Sequence, residues 1–257
     1  MNIFKRLFDY RELLKSNIKK EIRGKYKGSF LGVLWSFVNP LLTVLVYAIV
    51  FPYILRVKQD NYLIFLIVGI IPWTFFTTVI NQGTTSILHN AGIIKKVYFP
   101  REILPISVAT SGLINFFISC VIIFAFIFFS GIGFSIQLLW LPLIAIVQYC
   151  LMLGIIFITS AIDIYIRDLE YIMVFIINML FYGTPIIYSV DMFPKSFSWL
   201  IYLNPLTTII NSYRNILYYK IAPDFGALGI VALVSFLLLV FGYIIFRHLE
   251  KGFAEEI

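Results

Sequence analysis

Side chains that could perform catalysis are few in this 257-residue chain, and their spacing does not assemble a site. His89 and His248 are far apart in sequence, and no pair of histidine and cysteine has the spacing of metal ligands. Asp163 and Asp168 are separated in a short loop, which does not suit general acid–base catalysis by a pair of carboxyl groups. The run Gly24–Lys25–Tyr26 lacks the serine or threonine of a phosphate-binding loop. The sequence therefore predicts no catalytic residue and no metal, so any energy must enter from a partner.

The stretch 90–105, NAGIIKKVYFPREILP, is a charged island between two long apolar runs, and the chemistry it offers is docking. At helical spacing its apolar side chains would share one face and its lysines the other. The apolar face would hold Ile93, Ile94, Val97 and Tyr98, and the basic face Lys95 and Lys96. Pro100 then suits the first turn of a following helix. A partner could grip such an element, but a turn that only anchors two helices at the headgroups fits the same pattern.

Composition places the chain in a membrane. It is 61% hydrophobic and 13% charged, with a mean hydropathy of +0.95, whereas a soluble domain is about half apolar and about a quarter charged. Cys120 and Cys150 lie inside apolar runs and are interpreted as small buried hydrophobes. The N-terminus is charged beyond the length of a signal-peptide n-region, so no signal peptide is expected. The chain thus reads as a multi-pass membrane protein.

Six apolar runs are long enough to cross a bilayer, which takes about 20 residues. They are Leu31–Leu55, Tyr62–Leu88, Ile103–Phe129, Leu138–Ile162, Tyr171–Val190 and Phe225–Phe246. Residues 1–30 carry one apolar stripe among many basic residues, which predicts an amphipathic helix in the membrane interface. Residues 197–219 hold two short apolar pieces split by Asn204–Pro205, which predicts a re-entrant helical hairpin before the last span. The predicted fold is all-α, with an interface helix (1–30) and a six-span domain (31–257).

The distribution of positive charge predicts the orientation. With both termini on one side, that side carries fifteen Lys and Arg residues and the other side five. Because cytoplasmic segments are enriched in these residues, both termini and the charged island are expected in the cytoplasm. A nucleic-acid partner is not expected, since the basic N-terminal run leads directly into the bilayer.

Polar residues inside the six runs are mild and patterned. None of the runs contains Asp, Glu, Lys, Arg or His, which argues against a proton- or ion-driven transporter. The second run has a polar row at helical spacing, formed by Thr74, Thr77, Thr78, Asn81, Thr84 and Thr85. The fifth run has a stripe of Tyr171, Phe175, Asn178 and Tyr182. The row suits either a polar passage or helix packing, and the stripe suits either sugar rings on aromatic faces or a packed interface.

Five stretches of the sequence, taken in order, carry a family resemblance. They are YKGSFLGVLWSFVNPLL at Tyr26–Leu42, IIKKVYFPREILP at Ile93–Pro105, IRDLEY at Ile166–Tyr171, FYGTPIIY at Phe181–Tyr188 and NPLTTIINSYRNIL at Asn204–Leu217. Together they resemble the permeases of polysaccharide-exporting ABC transporters of the ABC-2 type, which export O antigen, wall teichoic acid and some capsular polysaccharides. Each stretch alone is weak, but the ordered set covers nearly the whole chain. Ile166 departs from the family pattern, where an aromatic residue is expected.

The resemblance implies a non-enzymatic transport subunit in a bacterial inner or plasma membrane. It implies a homodimer that encloses a channel for a lipid-linked glycan, with two ATPase subunits docked below it. ATP and Mg²⁺ would bind to the ATPase, so no cofactor is expected in this chain. Residues 90–102 would be the coupling helix. Contacts to the ATPase would come from Ile94, Lys95, Lys96, Val97, Tyr98, Phe99, Arg101, Arg167 and Asp168. Substrate would first be engaged at Leu31 and Gly32. The channel would be lined by Trp35, Thr78, Asn81, Tyr171, Phe175, Asn178 and Tyr182.

Two other functions remain open at this stage. One is an ABC permease for another lipid or a drug, although some such permeases carry a large extracellular domain between the fifth and sixth spans that is absent here. The other is a membrane-embedded glycosyltransferase or polymerase, which the lack of a suitable carboxylate pair disfavours. The sequence does not identify the glycan.

Overall fold

The structure, a computed structural model, describes residues 3–24, 34–55, 61–192 and 198–256, and all regular structure in these segments is helical. The α-helices are α1 (Ile3–Asp9), α2 (Arg11–Gly24), α3 (Trp35–Leu55), α4 (Tyr62–Thr84), α5 (Ala91–Ile94), α6 (Ile103–Phe129), α7 (Leu141–Asp163), α8 (Leu169–Tyr182), α9 (Ser198–Leu203), α10 (Pro205–Arg214), α11 (Phe225–Leu249) and α12 (Phe253–Glu256). The N-terminal segment 1–30 was predicted as one amphipathic helix; its described part, residues 3–24, forms two helices, α1 and α2.

Four helical segments in the described parts of the chain are long and apolar enough to cross a membrane: α4, α6, and α7 and α11 with the short turns that adjoin them. Two of the six predicted spans coincide with shorter apolar helices, Val38–Val50 within α3 and α8. The all-helical membrane fold is therefore confirmed. Within the described residues, length and composition alone identify four candidate spans, and six crossings stay a prediction.

The fifth predicted span is shorter than expected. Its helix ends at Tyr182 and not at Val190. Pro185 has no N–H to donate and disfavours helical backbone at Thr184, so the chain continues as turns toward the outer end of the predicted span. Pro40, by contrast, lies inside α3 without ending it.

Helix α4 is the centre of the bundle, since most of its side chains are buried and it packs against α3, α6, α7, α8 and α10. A buried amide joins three of these helices. Gln148 of α7 donates to the carbonyl of Pro72 in α4 at 2.9 Å and accepts from the hydroxyl of Tyr213 in α10 at 3.1 Å. Because a buried amide is costly when unsatisfied, this bridge fixes the position of α10 against the bundle.

Helices α7 and α11 cross with their backbones in close contact. A Cβ atom on Gly242 of α11 would lie 2.4 Å from the carbonyl oxygen of Gly154 in α7, and one on Gly154 would lie 2.8 Å from the backbone of Leu238. Small residues that let backbones approach are the usual device of helix association in membranes. This pair ties the last span to the rest of the bundle.

Candidate docking surface and polar cavity

The charged island differs in shape from the predicted coupling helix. A short turn at Leu88–Asn90 leads into α5, which ends at Ile94, and residues 97–100 are not helical. The four apolar side chains therefore do not share a face. Ile94 is buried, whereas Tyr98 is 93% exposed. The one-and-a-half-turn helix predicted through Tyr98 is wrong, because Phe99 and Pro100 are drawn into the core and pull the chain out of helical register.

The predicted ATPase contacts on the island divide into two groups. Ile94 and Phe99 are 8% and 5% exposed and belong to the hydrophobic core of this chain. Lys95, Lys96, Val97 and Tyr98 are exposed, around a depression of about 190 Å³. The exposed group can contact a partner, and the buried pair supports it from below.

The N-terminal arm braces the start of the island. The ammonium of Lys20 in α2 donates to the side-chain oxygen of Asn90 at 2.8 Å. The amide nitrogen of Asn90 in turn donates to the carbonyl of Ser86 at 2.8 Å. Asn90 is buried, so this pair of bonds holds the first turn of the island against α2.

The same arm also braces the end of the island. Arg6 of α1 and Glu102, one residue before α6, form an ion pair of 3.1 Å, and the Glu102 side chain is fully buried. The Arg6 guanidinium also donates to the hydroxyl of Tyr243 in α11. Burial raises the pKa of Glu102, and Arg6 opposes that shift. Three elements distant in sequence therefore meet at one buried charge.

The C-terminal segment holds Arg101, which was predicted as an ATPase contact. Its guanidinium donates to the carbonyl of Glu250 at 2.5 Å and lies 5.6 Å from the ring centroid of Phe253. The carboxylate of Glu250 pairs with Arg247 at 2.5 Å. Much of the hydrogen-bonding capacity of Arg101 is thus already used within this chain.

The loop between α7 and α8 lies at this same end of the bundle, since the hydroxyl of Tyr165 donates to the carbonyl of Leu249 at 3.0 Å. Ile166, Arg167 and Asp168 are exposed on it. The structure thus brings together the arm, the island, this loop and the tail, which the charge tally had grouped on one side.

A polar cavity of about 620 Å³ lies between α3, α4 and α8. It is lined by residues of both the polar row of the second run and the stripe of the fifth run. Its polar lining is Thr43 and Tyr47 of α3, Thr74, Thr77 and Asn81 of α4, and Asn178 and Tyr182 of α8. Trp73 and Tyr47 add aromatic faces, with ring centroids 5.6 and 5.9 Å from that of Phe181. Donors, acceptors and aromatic faces thus line one space.

Other residues predicted to line a channel lie outside this cavity. Tyr171 and Phe175 are 70% and 64% exposed on α8, and Thr78 is half-buried on α4. Trp35 is 37% exposed at the start of α3. Leu31 and Gly32, predicted to engage substrate first, lie outside the described residues.

At the opposite end of the bundle, the α9–α10 segment holds the turns after α8. Asn204 accepts from the backbone N–H of Leu206 at 3.0 Å, which caps α10, and its amide donates to the hydroxyl of Thr184 at 2.8 Å. Arg214 is 2% exposed and donates to the carbonyl of Ile186 at 2.5 Å. The two short helices split at Asn204 therefore control the path of the chain beyond Tyr182.

Sequence reasoning missed several positioning residues. Arg6 was counted only as one of many basic residues of the arm, and Gln148 was not singled out at all. A lone glutamine inside an apolar run is the one signal that could have identified Gln148. Among the described residues, no three of His, Cys, Asp and Glu stand close enough together to hold a metal ion.

The chain is similar to known transport permeases over nearly its full length. The family described as ABC-2 type transporter matches residues 12–218. The chain is 38% identical over 250 residues to the O-antigen export system permease protein RfbA of Klebsiella pneumoniae, covering 97% of this chain and 95% of the relative. It is 32% identical to the protein of the same name from Myxococcus xanthus over 259 residues, covering both chains completely. It is 22% identical to the polysialic acid transport protein KpsM of Escherichia coli over 238 residues, covering 91% and 92%.

Proposed function

Because the chain belongs to the ABC-2 type transporter family, as its sequence motifs predicted, we propose that it is the membrane subunit of an exporter of lipid-linked polysaccharide. The glycan would be of the O-antigen class, since the relatives with the higher identities are named for that export. It would leave the cytoplasmic side of a bacterial inner or plasma membrane through six-span subunits whose termini are cytoplasmic.

The observation that carries this proposal is the cavity between α3, α4 and α8. Sugar rings present hydroxyl groups around an apolar C–H face, so they suit a wall that alternates amide and hydroxyl groups with aromatic rings. Asn81 on one side and Asn178 and Tyr182 on the other provide such a wall. Because these contacts do not depend on one order of sugars, the passage would tolerate a repeating polymer.

A second copy of this chain would complete the passage. The exposed faces of α3 and α8 flank the cavity, with Leu42, Leu45 and Ile49 on α3 and Phe175 and Met179 on α8 among the exposed apolar side chains. Placing two such faces together would bury them and enclose the polar lining between two subunits. This arrangement is our proposal for the homodimer.

The driving force would come from two copies of a separate ATPase docked on the end that carries the island. Tyr98, Lys95, Lys96, Arg167 and Asp168 are exposed there. A ring that is 93% exposed on a well-braced loop suits insertion into a partner's cleft, as buried aromatic anchors often dominate interface energetics. ATP and Mg²⁺ would reside on that partner and not on this chain.

The test is deletion and complementation in the source cell. Cells that lack the chain should retain lipid-linked glycan at the cytoplasmic face and lose it from the surface, and the wild-type chain should restore both. The tagged chain should co-purify with an ATPase and with the glycan, identified by mass spectrometry. Normal surface glycan without the chain would overturn the proposal.

A further inference from the structure

A second pocket, of about 370 Å³, lies at the opposite end of the bundle from the island. It is separate from the cavity described above, since the two share no lining residue. Its polar walls come from α10, the turn after it and the start of α11. They include Asn211, Arg214, Asn215 and Asp224, and two tyrosines, Tyr202 and Tyr219, line it with their rings. Its volume is at the lower end of the range of about 300–1,000 Å³ for small-molecule sites.

The pocket is built on a buried cation. Arg214 is 2% exposed, and within the described residues no carboxylate lies at ion-pair distance from it. Its guanidinium lies 3.6 Å from the centroid of the Phe65 ring and donates to the backbone carbonyls of Pro185, Ile186 and Tyr188. Among the described residues, its Nε–H is buried without a hydrogen-bond partner. A buried charged group in a membrane protein commonly marks a functional site, and Arg214 is one of the residues that line this pocket.

The walls offer both donors and acceptors and are nearly balanced in charge. Asp224 caps α11 by accepting from the N–H groups of Gly226 and Ala227 at 3.0 and 3.1 Å through Oδ1. Arg214 and Asp224 are the two charged residues of the lining, so the lining carries no net charge and a free anion would gain little there. The amides of Asn211 and Asn215 can each donate and accept. Such a set suits a polyol.

Two tyrosine rings add aromatic surface to the polar lining of the pocket. Tyr202 of α9 is 54% exposed and Tyr219 is 45% exposed, so each presents an accessible ring at the pocket wall. Aromatic faces pack against the C–H face of a pyranose while hydroxyl groups around its edge bond to amide and charged side chains. The pocket offers both the aromatic rings and the hydrogen-bonding groups, within a space that suits one sugar unit.

We propose that this pocket binds a single uncharged sugar unit at the end of the bundle opposite the island. The inference rests on the proposed export function and deepens it, because it adds a sugar contact beyond the α3–α4–α8 cavity. Arg214 would serve two ends at once. It holds the turns after α8 by their carbonyls and it lines the pocket, so occupancy would be sensed where α8 ends.

The experiment is saturation-transfer difference NMR on the full chain in lipid nanodiscs. The probes are methyl α-D-mannopyranoside, methyl β-D-galactopyranoside and methyl α-L-rhamnopyranoside, each measured separately, with empty nanodiscs as background. Tyr202→Ala removes a wall ring. Trp199→Ala is the matched control, because Trp199 lies on the same short helix, is 61% exposed and does not line the pocket. Tyr182→Ala reports on the other cavity, and inorganic phosphate serves as an anionic competitor.

We expect at least one glycoside to receive saturation from the wild-type chain and from Trp199→Ala. Tyr202→Ala should bind it about three- to tenfold more weakly, the effect of one aromatic contact. Equal binding by Tyr202→Ala, or a signal that only Tyr182→Ala abolishes, would overturn the inference. Displacement by phosphate would show an anion site and overturn it as well.

The two proposals fail in different ways. A chain that restores export in cells but gives no saturation transfer above empty nanodiscs refutes the sugar pocket alone. A chain that cells do not need for export refutes the export function, whatever the NMR result.

Discussion

Arg6 and Glu102 form an ion pair of 3.1 Å whose side chains are 10% and 0% exposed. The pair joins the first helix of the N-terminal arm to the last residue before α6. Removing one partner from a buried pair leaves the other charge uncompensated, which commonly costs about 3–5 kcal/mol. Arg6→Met, which keeps much of the apolar stem, should therefore lower the apparent melting temperature of the purified chain clearly.

The matched change is Glu102→Gln, which removes the charge but keeps a group that can accept from Arg6. It mimics the neutral carboxyl that burial favours at this position, so its melting temperature should equal or exceed that of the wild type and lie clearly above that of Arg6→Met. If the two variants melt together at the wild-type temperature, the ion pair contributes nothing to stability and the arm is held by packing alone.

The stability of the fold is expected to depend on pH through Glu102. Burial raises the pKa of Glu102 above its unfolded value of about 4.3, so the folded chain binds this proton more tightly. The associated stability is fully present below the unfolded pKa and is lost as pH rises through the folded pKa. Melting temperature measured against pH should fall through that window in the wild-type chain. The fall should be smaller in Glu102→Gln; an identical profile in both would assign it to another group.

The crossing of α7 and α11 can be tested by its effect on the stability of the fold. Gly242→Ala would place a methyl group 2.4 Å from the carbonyl oxygen of Gly154, where backbone must move. Overpacking of this kind costs about 1–3 kcal/mol or more. Gly229→Ala, on the same helix, meets nothing within 4 Å and should leave stability unchanged or slightly raised. Melting temperatures and detergent gel filtration would compare them. Equal melting would mean that the helices separate without cost.

The sequence predicted those features that depend on local pattern. The bounds of α6, Ile103–Phe129, were predicted to the residue, because charges precede it and Ser130 and Gly131 follow it. The split at Asn204 was predicted from one dipeptide, and Asn204 caps α10 as its type favours. An unbroken apolar run with its flanking residues was sufficient for α6, and the Asn204–Pro205 pair was sufficient for the start of α10.

Long-range partners could not be predicted in this way. Nothing in the sequence around Glu102 indicates that Arg6 neutralises it, since the two are far apart in sequence and meet only after the bundle has formed. The predicted conformation of the island was wrong for a related reason. A four-residue apolar pattern is too short to define a helical face, and the burial of Phe99 against distant helices decided its conformation.

The island offers neighbouring aromatic residues with opposite environments. Phe99→Ala should destabilise the fold by about 3–5 kcal/mol, because Phe99 is 5% exposed within the core. Tyr98→Ala should melt like the wild type, because Tyr98 is 93% exposed, yet it should weaken association with the ATPase or uncouple hydrolysis from export. Co-purification and export at matched expression would be measured. Normal assembly and normal export in Tyr98→Ala would remove this ring from the docking surface.

The last prediction tests whether the cavity between α3, α4 and α8 is the glycan path. Tyr182 is 72% exposed and lines the cavity, so Tyr182→Ala removes a ring that a sugar would contact. Phe124 of α6 is half-buried, lies 6.1 Å from the ring centroid of Phe134 and lines a separate apolar depression. Each change to alanine removes one ring that is not buried in the core, so comparable expression in the membrane is expected.

Export separates the two variants. Tyr182→Ala should slow the appearance of surface glycan and reduce glycan-stimulated ATP hydrolysis by the assembled complex, whereas Phe124→Ala should leave both near the wild-type level. Pulse labelling of surface glycan and ATPase measurements in nanodiscs would quantify this. If both variants export equally, the tyrosine contributes packing only. The contact with glycan would then have to come from Thr74, Thr77 and Asn81 on the α4 wall, which the same assay can examine by substituting Asn81.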